Sequence, residues 1–299
     1  NTIGDAVNPN VSLGVILNGG ANNNIIGGPP ADEQNSIIGH PDAGVRILGG
    51  TTTDNTIIGN FIASPTTVGA IGVEIIGGAI GNTVTDNDIG NGAVGVLING
   101  SFNNTIGPNN VIIGQQGLGG FAEGHGVYIT GASTGNDVTA NQIGPVAGNG
   151  ISMLAAGTTG NTAQGNQIGA FVQRGVHVFQ NASGNTSGPG NTMQAASVAG
   201  IAVTNASDVQ IVSNTITSNG GDGISLDAAS NVVINGNTVQ SNGAEGINLI
   251  TTSNTTVRNN SIAQNANNGI RVESGINNLF GTNSIANNGA LGIDLVAVG

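Results

Sequence analysis

Cysteine and lysine are both absent from the sequence, and each absence excludes a class of chemistry. Without cysteine there can be no disulfide and no thiolate metal site. Without lysine, only four basic residues, all arginine, stand against sixteen acidic ones, and the net charge is −12. Nucleic acid binds proteins through clustered basic side chains that replace its counterions, so it is excluded as a partner.

Long apolar runs, aromatic rings and charged side chains are scarce as well. No apolar run approaches the roughly 20 residues that span a bilayer, and Asn1 to Gly4 look like repeat sequence rather than a signal peptide. Charged residues make up 7% of the chain and aromatic residues 2%. Such a composition could indicate low-complexity disorder. However, hydrophobic content is 37%, and its β-branched Ile and Val recur at regular spacing, which is typical of a β-sheet core.

Glycine is abundant, with 53 residues, and it marks an internal repeat. From Gly200 onward a Gly followed by an apolar strand recurs every 23 residues, at Gly200, Gly223, Gly246, Gly269 and Gly292. Upstream, equivalent anchors 23 to 31 residues apart lie at Gly14, Gly44, Gly72, Gly95, Gly126, Gly150 and Gly175. Twelve anchors with this minimum spacing predict a fixed coil of about 23 residues, with insertions at one or two loops.

Within the regular coils, positions counted from the anchor Gly keep their chemistry. Positions +1, +3, +11 and +16 are apolar, which predicts three short strands with one buried face each. Position +19 is Asn, and position +14 is Asn214, Asn237, Asn260 and Asn283. We expect these asparagines at turns, because Asn tolerates the left-handed conformation. Stacked from coil to coil, their amides can bond one another and form a structural ladder.

Three such strands cannot pair within their own coil, so each pairs with the same strand of the next coil, about 4.8 Å away. The sequence therefore predicts an all-β protein, a single right-handed parallel β-helix solenoid of 11 to 12 coils with three short strands per coil. Residues 1–299 form one domain, with irregular coils over 1–199 and regular 23-residue coils over 200–299. A leucine-rich repeat would need leucine columns and helices, and a propeller would need antiparallel blades. Neither fits.

These columns resemble the parallel β-helix repeat family, whose fold is shared with pectate lyases. Phrases of the type Asn-x-Ile-Gly, such as those at 104–107, 141–144 and 166–169, resemble repetitive bacterial surface and secreted proteins. The resemblance covers essentially the whole chain. It implies the fold, but it leaves a choice among lyases, hydrolases, epimerases, phage tailspikes and non-enzymatic surface stalks.

Catalytic motifs of this family are poorly represented. A polysaccharide lyase needs acidic Ca²⁺ ligands beside a basic residue, and the chain offers only four arginines. Gly124-His125-Gly126 resembles part of a galacturonase-like pattern, but the paired aspartates and the Arg-x-Lys of that pattern are missing. We interpret Gly126 as a coil anchor. No catalytic residue, metal site or cofactor is predicted, and Ca²⁺ has no motif in its favour, so an enzyme is the less favoured class.

Position +2 faces outward on the first strand and forms a column of its own. In coils five to seven this column contains Tyr128, Ser152 and His177, next to His125, Asn149 and Arg174 just before the anchors. Aromatic rings beside polar donors are typical of sugar sites. The candidate carbohydrate-binding residues are therefore Glu123, His125, Tyr128, Ser152, Arg174 and His177. The favoured interpretation, however, is that exposed residues meet there by chance. In the same column, Arg46 with Glu74 and Arg271 with Asp294 are predicted to form exposed ion pairs.

The ends of the sequence lie within repeats and lack the polar caps that a solenoid needs. We therefore expect a segment of a longer chain, or a fibre subunit whose coils stack end to end on copies of itself or on flanking segments. The favoured function is a non-enzymatic extracellular or cell-surface structural rod, such as a stalk, adhesin segment or fibre subunit. The alternative is a carbohydrate-binding or polysaccharide-degrading β-helix protein, a lyase, hydrolase or tailspike-like depolymerase, with a groove on coils five to seven.

Overall fold

The computed structural model describes residues 2–3, 12–28, 33–63, 70–116, 124–170 and 172–296. These ranges contain 37 β-strands, numbered β1 to β37 in chain order, and no α-helix. Consequently, no helix in them is long and apolar enough to cross a membrane. All strand pairs are parallel, and they build three long sheets of twelve, eleven and twelve strands plus one two-stranded sheet.

The first sheet contains the strands that follow the anchor glycines. Its twelve strands are β2 (Leu13–Leu17), β5 (Ala43–Leu48), β8 (Ile71–Ile76), β11 (Val94–Asn99), β14 (His125–Thr130), β17 (Ile151–Leu154), β20 (Arg174–Phe179), β23 (Ala199–Thr204), β26 (Asp222–Asp227), β29 (Ile247–Ile250), β33 (Ile270–Val272) and β37 (Ile293–Leu295).

The second sheet follows it in each coil. Its eleven strands are β3 (Ile25–Gly27), β6 (Thr56–Ile58), β9 (Thr83–Thr85), β12 (Thr105–Ile106), β15 (Asp137–Thr139), β18 (Thr162–Gln164), β21 (Thr186–Ser187), β24 (Gln210–Val212), β27 (Val233–Asn235), β31 (Thr256–Arg258) and β35 (Leu279–Gly281).

The third sheet completes the coil. Its twelve strands are β1 (Thr2–Ile3), β4 (Ser36–Ile38), β7 (Phe61–Ala63), β10 (Asp88–Gly90), β13 (Val111–Ile113), β16 (Gln142–Ile143), β19 (Gln167–Ile168), β22 (Thr192–Gln194), β25 (Thr215–Thr217), β28 (Thr238–Gln240), β32 (Ser261–Ala263) and β36 (Ser284–Ala286). The two-stranded sheet pairs β30 (Thr252–Ser253) with β34 (Gly275–Ile276).

The strand register confirms the predicted parallel solenoid. Ile201 pairs with Ile224, and Ile224 with Ile247, so each +1 residue stacks on the +1 residue of the next coil. These side chains are fully buried and belong to one core that runs the length of the described coils. Each coil alone buries little, and the continuous core arises only because identical columns stack.

The anchor glycines are required by close packing between the first and third sheets. At Gly150, an added Cβ would collide with the Cγ2 methyl of Ile168 and lie 2.6 Å from the carbonyl oxygen of Gly175. At the other anchors from Gly44 to Gly269, an added Cβ would collide with the equivalent third-sheet side chain in the same way. Any larger residue would therefore force the two sheets apart.

Asparagine side chains form three ladders along the axis, in which Nδ2 of one coil donates to Oδ1 of the next. The first ladder, before the third sheet, has Nδ2 to Oδ1 distances of 2.9 to 3.1 Å. It comprises Asn35, Asn60, Asn87, Asn110, Asn141, Asn166, Asn191, Asn214, Asn237, Asn260 and Asn283. The +14 asparagines of the regular coils are thus its last four members.

The other two ladders each cover only a part of the rod, one after the other. The second ladder, before the second sheet, comprises Asn24, Asn55, Asn82, Asn104, Asn136, Asn161 and Asn185. The third ladder, at position +19, comprises Asn219, Asn242, Asn265 and Asn288. The second ladder stops at Asn185 because Val209 and Val232 occupy the next two steps.

The expectation that the ladder asparagines adopt the left-handed conformation is wrong. The left-handed residue is the one just before each of them, for example Ala140 (φ 51°) before Asn141 and Ser213 (φ 53°) before Asn214. The turn is made one residue earlier, which leaves the asparagine free to point its amide inward along the axis. Asparagine therefore occupies these positions because of the ladder bonds, and not because it tolerates the left-handed conformation.

Candidate functional site

The outer face of the first sheet is wider than one column, because the chain kinks at each anchor. Gly126 and Val127 both face the core, where Gly126 lies against Ile143. His125 and Tyr128, the residues on either side of this pair, therefore share the outer face. In the next coils, Ser152 pairs with Tyr128 and His177 pairs with Ser152. We name His125, Tyr128, Ser152, Arg174 and His177 the histidine patch. Glu123, the sixth candidate, lies outside the described residues.

Ser152 lies at the centre of the histidine patch. Its Oγ is 3.3 Å from Nδ1 of His125 and accepts a hydrogen bond of 3.2 Å from Nδ2 of Asn149. The backbone N–H of Asn149 also donates to Nδ1 of His125, at 3.4 Å. Because Nδ1 accepts these bonds, it carries no proton, and the ring of His125 is neutral.

The aromatic rings of the patch are stacked in two pairs. The ring centroids of His125 and Tyr128 are 4.7 Å apart, and those of His177 and Phe179 are 4.1 Å apart with an interplanar angle of 5°. Nε2 of His177 lies 3.3 Å from Oγ1 of Thr204. Nδ1 of His177 is buried and has no hydrogen-bond partner in the described structure.

The patch is less accessible than an outward-facing column suggests. Ser152 is fully buried, and His125 and His177 are 6% and 8% exposed. Burial lowers the pKa of His125 to about 4. Burial, and then the charges of Arg174 and His125, lower the pKa of His177 to about 3. At neutral pH both rings are therefore uncharged, and no described carboxylate bonds to them or pairs with Arg174. The patch can bind through the guanidinium of Arg174, through neutral donors and acceptors and through ring faces, but it offers no described acid–base pair.

A short ladder in the position just before the anchors gives His125 a structural role that the sequence did not reveal. In the later coils, Asp222 Oδ1 accepts the N–H of Glu245 at 3.0 Å, and Glu245 Oε2 accepts the N–H of Asn268 at 2.7 Å. His125 accepts the N–H of Asn149 in the same way. The available signal was an acceptor side chain directly before the anchor Gly.

The two predicted ion pairs have different outcomes. Arg46 pairs with Glu74, which is buried rather than exposed. Arg271 pairs instead with Glu245 at 3.5 Å and Glu273 at 3.6 Å, so the predicted partner Asp294 is wrong. The longer glutamate side chains reach the guanidinium, whereas the shorter carboxylate of Asp294, directly opposite on the next coil, does not.

A separate groove lies on the outer face of the third sheet. Three hollows of about 350, 430 and 290 Å³ adjoin one another, since the first two share Val111 and the last two share Gln142 and Gln167. We name this feature the third-sheet groove. Its main lining residues are Phe61, Asp88, Val111, Ile113, Gln142, Gln167, Thr192 and Gln194. They were not predicted from the sequence, because an irregular coil hides which residues share a column. The sequence signal for this groove was a ring or amide side chain at the third-sheet position where the regular coils have Thr or Ser.

Comparison with protein families identifies the fold independently. The family described as "Right handed beta helix region" matches residues 149–298. The chain belongs to this right-handed β-helix family. The match also confirms the predicted handedness. A search of curated proteins finds no matching relative.

Solved structures extend the likeness of fold to nearly the whole chain. The A-module of mannuronan C-5 epimerase AlgE4 from Azotobacter vinelandii is 16% identical, with a TM-score of 0.71 over 96% of this chain and 83% of that one. The Dettilon tailspike protein is 18% identical, with a TM-score of 0.71 over 95% and 61%. PfbA, a surface adhesin of Streptococcus pneumoniae, is 13% identical, with a TM-score of 0.66 over 87% and 83%. At these identities the likeness shows the fold alone, and the three proteins differ in function.

Proposed function

We propose that the chain is a structural rod of an extracellular or cell-surface protein and that it is not an enzyme. The observation that carries this proposal is the unbroken first ladder from Asn35 to Asn283, in which every step repeats the bond from Nδ2 to Oδ1. A ladder of this kind ties each coil to the next through the same side-chain amide bond. The location is supported by the similar structures, which include a tailspike protein and a surface adhesin.

The protonation states and bonds of the two histidines in the histidine patch support the same proposal. A general acid or base works most efficiently when its pKa lies near the operating pH. Here both rings are neutral, and the pKa values of His125 and His177 lie at about 4 and about 3. His125 already uses Nδ1 to hold the backbone of the next coil. We infer that His125 serves to hold the rod together at this point.

The test is an assay for turnover combined with imaging. The purified protein is incubated with uronate and neutral polysaccharides, with and without Ca²⁺, and products are followed as new reducing ends and unsaturated sugars. We expect none, and electron microscopy should show straight rods of uniform width. Turnover that disappears in His125→Ala or His177→Ala would contradict the proposal.

Carbohydrate binding at the histidine patch is the second candidate function. It is favoured by the two stacked ring pairs. A glycan array of the wild type, His177→Ala and Tyr128→Ala tests it. Binding should weaken in both variants, and an unchanged or empty array would rule out the patch as a sugar site.

A further inference from the structure

The third-sheet groove has a continuous floor made by one column of side chains. Parallel pairing places Phe61 opposite Asp88, Asp88 opposite Val111, and Val111 opposite Gln142. The column continues to Gln167 and Thr192. It therefore crosses six neighbouring strands, β7 to β22, in the direction of the rod axis.

The floor combines apolar surface with free amides. Phe61 and Ile113 are 42% and 40% exposed, which gives the groove an apolar end. Gln142 and Gln167 are exposed, and neither amide forms a hydrogen bond to another described residue. Each amide offers two donors and one acceptor oxygen. A sugar ring presents the complementary surfaces, an apolar face and a rim of hydroxyl groups.

The charge of the groove selects against acidic polysaccharides. None of the residues that line the three hollows is basic, and Asp88 adds a negative charge. The whole chain carries a net charge of −12. A polyuronate or sulfated chain would be repelled by Asp88 and by the net charge, and it would meet no basic side chain in the groove, whereas a neutral chain would not be repelled.

The groove is limited to one part of the rod. From β25 onward the same column consists of short hydroxyl side chains, Thr215, Thr238, Ser261 and Ser284. No ring or amide occupies the column there. Across the groove itself the coils repeat every 4.8 Å or so, which is close to the length of one sugar residue in an extended chain. Successive sugars can thus meet successive coils.

We propose that the third-sheet groove binds one chain of a neutral polysaccharide, which lies along the rod axis. A sugar ring packs on Phe61, and hydroxyl groups exchange hydrogen bonds with the amides of Gln142 and Gln167. This site is distinct from the histidine patch, and it does not depend on the rod being non-enzymatic.

The experiment measures binding of the intact chain to defined polysaccharides. Neutral glucans, mannans and xylans are compared with alginate and polygalacturonate by affinity electrophoresis, and the retained polymer is then titrated by calorimetry. The double variant Gln142→Ala/Gln167→Ala should bind about tenfold more weakly, since two hydrogen-bonding side chains are lost. Phe61→Ala should weaken binding to a similar extent.

Matched controls come from the same column outside the groove. Thr215→Ala/Thr238→Ala should bind like the wild type, and circular dichroism should show that all these surface variants fold. Retention of no neutral polymer, preference for an acidic one, or unchanged binding in the groove variants would overturn the proposal. Loss of binding in His177→Ala would assign the binding site to the histidine patch instead. If the groove variants abolish self-association in light scattering instead, the groove is a contact between copies of the chain.

Discussion

A single ladder asparagine holds three coils together through one amide. Asn141 donates through Nδ2 to Oδ1 of Asn166 at 3.1 Å and to the carbonyl oxygen of Ile106 at 2.8 Å. Its own Oδ1 accepts from the backbone N–H and from Nδ2 of Asn110. All of these groups are buried, so removing the amide leaves several of them without partners.

We predict that Asn141→Ala lowers the free energy of unfolding by about 3 kcal/mol, because buried donors and acceptors lose their bonds. Guanidinium unfolding followed by circular dichroism measures the change. Asn267→Ala is the matched control, since Asn267 is exposed and its side chain forms no bond to another described residue. Equal stability of the two variants would show that the ladder does not stabilise the rod.

The two histidines of the patch should make stability depend on pH. In the folded chain their pKa values are about 4 for His125 and about 3 for His177, against 6.5 for an unperturbed histidine. Between these values the unfolded chain binds more protons than the folded one, so the free energy of unfolding rises with pH. Stability is therefore complete above about pH 6.5 and is lost as the pH falls towards the folded-state values.

Thermal unfolding between pH 3 and pH 7 measures this effect. Burial raises the pKa of Asp137 and Asp222, which acts in the opposite sense at the acid end. We expect His125→Gln/His177→Gln to flatten the melting temperature over the upper part of the range, since glutamine does not titrate. An equally steep dependence in the double variant would assign the effect to other groups.

At the scale of one strand, the anchor Gly sets how closely the first and third sheets approach. We predict that Gly150→Ala costs several kcal/mol, because its Cβ would overlap Ile168 and the carbonyl of Gly175. Gly281→Ala is the control, since nothing lies within 4 Å of an added Cβ there. Denaturant unfolding of both variants tests the difference, and equal losses would contradict the packing argument.

The elements also show how far the sequence alone can lead. The 23-residue period, the parallel sheets and the buried +1 and +3 columns follow from spacing, because stacking repeats the same environment in each coil. The burial of His125 and Ser152 could not be predicted, because it depends on the kink at Gly126, which puts two columns on one face. The third-sheet groove was hidden because insertions shift Gln142 and Gln167 out of the regular numbering.

At the scale of the whole molecule, each coil contacts only its neighbours, so stability is close to a sum of repeated terms. We predict that deleting residues 224–246 preserves the fold, because Gly223 then precedes Ile247, the residue with which Ile224 pairs. Deleting only 224–235 breaks the register and should unfold the neighbouring coils. Circular dichroism and melting temperatures of both deletions test this. A one-coil deletion that melts as early as the half-coil deletion would contradict it.

The amide ladders have a consequence for the symmetry of the molecule. At each ladder step Nδ2 donates to the Oδ1 of the following coil, so the amide dipoles add along the axis. The rod is therefore polar, because the ladder donors face one end and the ladder acceptors face the other. A copy placed behind another in the same orientation would extend the series of bonds, whereas a reversed copy would set donors against donors. Stacking in one orientation is therefore the arrangement that would continue the ladder bonds.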